Sequence, residues 1–72
     1  MLLYGLKNKY FYCFLEKLYI DGELVRGCDY FEDRITVQDI PAKYDLYRVE
    51  EYTIRNEGAY ELITIRLKSR KV

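Results

Sequence analysis

Apolar and polar positions alternate most regularly over residues 59–68, AYELITIRLK, where Ile63, Ile65 and Leu67 share one parity and Thr64, Arg66 and Lys68 the other. A period of two predicts a strand with one buried face. Residues 44–55, YDLYRVEEYTIR, predict a second strand with a defect in its alternation. Tyr44 and Leu46 agree in parity with Tyr52 and Ile54, whereas Tyr47 and Val49 do not. A strong bend, or one extra residue bulging near Glu50-Glu51, reconciles the two halves. Asn56-Glu57-Gly58 predicts the turn between these strands, with Gly58 in a left-handed position after a type I turn.

The N-terminal half is less regular. Residues 4–20, YGLKNKYFYCFLEKLYI, fit two periods. Phe11, Phe14, Leu15 and Leu18 recur at helical spacing, with Asn8 as a cap. The same run is rich in aromatic residues and ends at Asp21-Gly22, a dipeptide suited to the type I′ hairpin turn because both central residues need positive φ. The strand reading is favoured for residues 10–20. It pairs Ile20 with Glu23, Leu18 with Val25 and Phe14 with Asp29. On the other face it pairs Tyr19 with Leu24, Leu15 with Cys28 and Cys13 with Tyr30. Cys13 and Cys28 then lie diagonally, beyond unstrained disulfide reach, and are expected as free thiols. Gly27 is expected at a bulge or a close backbone approach.

Residues 34–43, RITVQDIPAK, predict a crossing. Ile40 precedes Pro41 and is held extended. Asp39 is expected to order the turn by bonding its own downstream backbone. Ile35, Val37 and Ile40 are its apolar plugs. The expected fold is mainly β: two antiparallel hairpins forming a small curled sheet or partial barrel. The alternative is α+β, with an N-terminal helix around residues 8–20 packed on a three-stranded sheet.

At 72 residues the chain holds one core, so residues 1–72 form a single small domain, with Ser69–Val72 expected to fray. Charge changes the picture only locally. The formal net charge is zero, yet residues 23–51 carry eight acids against four bases, and residues 52–72 five bases against two acids. Global neutrality argues against a histone-like DNA binder. No apolar run approaches the ~20 residues of a membrane span. Gly5, Lys7, Asn8 and Lys9 interrupt the apolar start, so no targeting segment is read there. A cytoplasmic protein with reduced thiols is expected.

The chemistry-bearing residues are few. There is no histidine and one serine, Ser69, which excludes Ser-His-Asp and Cys-His arrangements within one chain. No phosphate-cradling glycine motif occurs. A non-enzymatic protein without cofactor or metal is expected. Asp29, Glu32, Asp33 and Asp39 read as a solvated acidic edge paired with Arg34 or Arg48, against a Ca²⁺ or Mg²⁺ site. Nine tyrosines exceed what a small sheet can bury with hydroxyls satisfied, which points to contact surface. The expected partner-binding residues are Tyr30, Glu32, Asp33, Asp39, Tyr44, Tyr47, Glu50, Glu51 and Tyr52. Arg66, Lys68 and Arg70 form a stripe for phosphate or nucleic acid, with an edge-strand guard against aggregation as the plainer reading.

One stretch resembles a known class. Asp21-Gly22, Asp33-Arg34, the step from Val37 to Pro41, and Tyr44 to Tyr47 resemble the small domains associated with large polyvalent proteins in mobile elements of Firmicutes and their phages. The similarity covers under half the chain and departs from the pattern after Val49. It implies a phage or mobile-element setting and a partner from host defence, such as CRISPR-Cas; it carries over no catalytic residue. The expected function is therefore protein–protein contact. The alternatives are a nucleic-acid-binding module and an oligomeric sponge for a nucleotide signal.

Overall fold

The computed structural model describes residues 1–27 and 35–70. Its elements run in the order α1 (Leu3–Lys9), β1 (Phe14–Ile20), β2 (Glu23–Gly27), two 3₁₀ turns (Val37–Asp39 and Ala42–Tyr44), β3 (Arg48–Glu57) and β4 (Tyr60–Lys68). The fold is mainly strand, built on two antiparallel hairpins, β1–β2 and β3–β4. The hairpins join side by side into one open sheet of order β2-β1-β4-β3.

The two inner strands, β1 and β4, run parallel, so the sheet is mixed, neither wholly antiparallel nor a closed barrel. The segment between Gly27 and Arg48 exceeds the dozen or so residues that a crossover between parallel strands requires. The strands richest in buried apolar side chains take the middle. Leu15 and Leu18 from β1 and Ile63, Ile65 and Leu67 from β4 form the centre of the core. A single layer of α1 and the 3₁₀ turns covers this face, adding Leu3, Leu6, Val37 and Ile40. Two layers around one core satisfy the sheet without closure.

The helix lies earlier than residues 8–20 and is only seven residues long. Leu3, Leu6 and Lys7, at i, i+3 and i+4, form its buried stripe. Asn8 sits in its last turn rather than at its cap. A helix this short does not persist alone. Here Leu3 N–H donates to Tyr47 O at 2.9 Å and Tyr4 N–H to Asp45 O at 3.0 Å, satisfying donors that a helix start leaves open. Lys7, only 7% exposed, completes the attachment. Its ammonium donates to Ile40 O at 2.6 Å and to Asp45 Oδ1 at 2.6 Å.

Both expected turns are present, with changes. Asp21 and Gly22 adopt φ 52° and 83°, as a type I′ turn demands. Ile20 faces Glu23 and Tyr19 faces Leu24, but Leu18 faces Arg26 rather than Val25. The bulge therefore falls at Val25 and not at Gly27. In the second hairpin β3 continues through Glu57, and the turn is Gly58-Ala59 with positive φ at Gly58 (62°). That is a two-residue turn positive at its first central position, not a left-handed residue closing a type I turn. The bulge anticipated near Glu50-Glu51 is present: Val49 faces Leu67 and Glu51 faces Arg66, which leaves Glu50 extra. It lets Val49, Tyr52 and Ile54 share the core face despite their mixed parity.

The crossing supplies Val37 and Ile40 to the core, with Ile35 packed against it. Asp39 bonds upstream rather than downstream: its carboxylate accepts from Thr36 N–H at 3.0 Å and Thr36 Oγ1 at 3.3 Å. Ser69 is tied as well, its N–H donating to Asp21 Oδ1 at 2.9 Å.

Candidate protein-contact site

The end of α1 sets up an aromatic surface. Tyr10 N–H closes the helix on Leu6 O at 2.9 Å, and Cys13 N–H turns back to Tyr10 O at 3.0 Å. This tight turn drives Cys13 into the core and throws Phe11 and Tyr12 outward, leaving them 59% and 52% exposed. The rings nevertheless touch. Phe11 meets Tyr12 edge-on at 5.6 Å, Tyr12 lies 6.4 Å from Tyr10, and Tyr10 lies 5.3 Å from Tyr52 on β3. The Tyr10 and Tyr52 hydroxyls share a hydrogen bond at 3.1 Å. Lys9 Nζ stands 5.5 Å from the Tyr10 ring centroid. A continuous row of four rings thus runs from a protruding turn to an edge strand.

Burial and neighbouring groups raise three pKa values along this row. Burial, then the Glu61 carboxylate and its hydrogen bond, raise the Cys13 thiol above its ordinary range. Burial and Glu61 likewise raise the Tyr12 phenol. The hydrogen bond to Tyr10 raises the Tyr52 phenol. Cys13, Tyr12 and Tyr52 stay neutral near pH 7, so the row offers uncharged aromatic rings flanked by Lys9 and Glu61, a composition enriched at interfaces.

Those of the expected contact residues that the structure describes do not gather into one face. Tyr30, Glu32 and Asp33 lie outside the described residues, as do Asp29, Arg34 and Cys28. Tyr44 and Tyr47 stack edge-on at 5.2 Å and pack against the core. Tyr44 and Tyr47 are thus half-buried structural groups, whereas Tyr52 packs against the core and also meets Tyr10, which makes it the half-buried end of the aromatic row. Asp39 is held by Thr36. Glu50 projects at the bulge, and Glu51 pairs with Arg66 at 3.1 Å. Tyr10, Phe11 and Tyr12 are not among the contact residues expected from the sequence, because along a strand neighbouring side chains point to opposite faces. The available signal was Lys7 and Lys9, cations suited to a helix C-terminus, directly ahead of the aromatic run.

The basic stripe is divided. Arg66 is occupied by Glu51 and by the Tyr19 ring, 4.1 Å from its guanidinium carbon. Lys68 lies opposite Arg48, and both line a cleft of about 510 Å³ with Arg70, Ser69, Leu2 and Leu46. Arg48, Lys68 and Arg70 make no ion pair among the described residues. Because β4 is an inner strand, its cations cannot serve as an edge guard. On the same sheet face, Phe14 meets Tyr60 edge-on at 5.4 Å, and Arg55 bridges Glu16 and Glu57. Leu62, at the foot of this group, is only 4% exposed.

No family model matches the chain, and no curated protein or solved structure is significantly similar to it. No helix among the described residues is long and apolar enough to cross a membrane.

Proposed function

We propose that this chain is a small non-enzymatic binding protein that captures another protein through Tyr10, Phe11, Tyr12 and Tyr52. One observation carries the reading: two large aromatic side chains, Phe11 and Tyr12, stand more than half exposed at the tip of a turn whose backbone is fixed on both sides. Neither ring belongs to the core or packs against it. Fixed, exposed aromatic anchors supply contact area at little entropic cost and dominate protein interfaces. The resemblance to phage and mobile-element domains supplies the setting, with a host-defence protein, such as a CRISPR-Cas component, as the partner class.

The test is capture from a bacterial host lysate by immobilised protein, with bound proteins identified by mass spectrometry. A partner held by the native chain and by an Arg48→Ala/Lys68→Ala/Arg70→Ala variant, but lost with Phe11→Ala/Tyr12→Ala, supports the proposal. A partner retained at full level by the aromatic variant overturns it.

A second reading, binding of nucleic acid or another phosphate-bearing ligand, is favoured by the basic cleft. Arg48 and Lys68 are like charges placed directly across a strand pair, an arrangement that costs stability unless an anion sits between them. Anisotropy of labelled single-stranded DNA and RNA tests it. Three phosphate contacts give a log–log salt slope of about −2, and no binding at ~50 mM salt removes the reading.

A further inference from the structure

We propose that two copies of this chain associate edge to edge through β3, antiparallel and centred on Thr53, to form one continuous sheet. β3 is an outer strand of the sheet. The N-terminal segment covers only its beginning: Val49 N–H donates to Met1 O at 2.8 Å, and Leu2 bridges Arg48. From Glu50 to Glu57 no described element lies along that edge. A long unpaired edge is a template for another strand.

The backbone fixes which groups are offered. Val49 sends its N–H outward, away from β4. Glu50 is the extra residue of the bulge, so parity shifts by one. Tyr52, Ile54 and Asn56 then carry the outward N–H and C=O groups. In an antiparallel pair, residues with outward groups must face one another. This permits pairing about Tyr52, Thr53, Ile54 or Arg55, and about Asn56 with only residues 55–57 overlapping.

Side chains choose among these, and pairing about Arg55 sets that arginine opposite itself, a like-charge pair that costs stability. Pairing about Tyr52 sets Glu50 opposite Ile54 and Arg55 opposite Val49. Pairing about Ile54 sets Glu51 opposite Glu57, a like-charge pair that costs stability. Pairing about Thr53 sets Glu51 opposite Arg55, and Arg55 opposite Glu51, on the sheet face away from the core. On the core face it sets Tyr52 opposite Ile54 twice, joining a half-buried ring to an exposed aliphatic side chain. Each charge already has partners within its own copy: Arg66 for Glu51, and Glu16 and Glu57 for Arg55. The cross-pairing therefore acts by selecting register rather than by supplying most of the affinity. The two-fold axis stands perpendicular to the sheet, so both aromatic rows fall on the same side of the dimer and present a paired surface.

Charge exchange tests the proposal. Glu51→Arg alone places arginine against Arg55 of the second copy, and Arg55→Glu alone places glutamate against its Glu51. Each variant is expected to be folded by circular dichroism and to lose self-association at least tenfold. An equimolar mixture of the two is expected to restore association as a heterodimer, since every pair is then opposite in sign. Sedimentation velocity over roughly 5–500 μM brackets the affinity expected for so small an interface. A Thr53→Cys variant provides an independent reading. Non-hydrogen-bonded partners stand at Cα separations near ~4.5 Å, within disulfide range. The two introduced thiols should therefore close an intermolecular bridge on mild oxidation, reversed by reductant and absent from the native chain. A native chain that stays monomeric across the concentration range overturns the proposal. So does a mixture that fails to associate when the native chain does, or a Thr53→Cys variant that remains unlinked.

Discussion

Replacing Asp45 should damage the fold more than replacing Lys7, although the two form one ion pair. Lys7 Nζ is almost fully enclosed and has two partners, Ile40 O and Asp45 Oδ1, both at 2.6 Å. The Asp45 side chain is 34% exposed. Asp45→Ala leaves a buried ammonium with a single carbonyl for company, and a buried charge stripped of its counter-ion costs about 3 kcal/mol. Lys7→Met removes the charge, keeps an unbranched side chain of similar length, and leaves Asp45 able to regain water. Its main cost is the unpaired carbonyl of Ile40, about 1–2 kcal/mol. A 72-residue domain holds roughly 4–11 kcal/mol in all, so the first change threatens the fold and the second does not. Each kcal/mol should move the thermal midpoint by roughly 4–8 °C. Urea and thermal unfolding followed by circular dichroism measure both variants. The double variant Lys7→Met/Asp45→Ala should be no worse than Asp45→Ala alone, because the stranded charge is gone. If Lys7→Met were the more damaging single change, or if the two costs simply added, the ion pair would not be what holds α1 to the crossing.

Gly22→Ala meets no neighbouring atom but forces a side chain onto φ 83°, so it should cost about 1 kcal/mol in urea unfolding. Tyr52→Ala should lower the unfolding midpoint well below that of Tyr52→Phe, because the ring packs against the core while the hydroxyl contributes a half-exposed bond to Tyr10. Cys13, Tyr12 and Tyr52 all hold their protons more tightly folded than unfolded. More protons bound in the folded state means stability falls as pH rises, starting near the ordinary thiol value of about 8.5 and continuing through the phenol range. Urea midpoints taken from pH 7 to 10.5 should fall steadily, and Cys13→Ser should flatten the first part of that fall. The buried thiol should also resist alkylation at ~pH 8 in a Cys28→Ser background until the protein unfolds.

The features legible along the chain are those whose cause is local. The alternation of Ile63, Ile65 and Leu67 marked β4 and its buried face. The positive φ that Asp21-Gly22 tolerates marked the first hairpin turn. The broken parity around Glu50-Glu51 announced a bulge, and Val37 and Ile40 announced the plugs beneath the crossing. Contacts between distant segments account for the rest. Residues 3–9 are helical because the backbone before β3 satisfies the first donors of α1 and Asp45 meets Lys7, partners too far along the chain for any local pattern to show. The parallel pairing of β1 with β4 depends on how two hairpins share one core face, and hairpin periodicity is the same for either direction. The contact site moved for the same reason. Tyr44, Tyr47 and Tyr52 were legible as rings but not as rings packed on a core. Phe11 and Tyr12 became an exposed surface only because the chain turns sharply between a short helix and an inner strand.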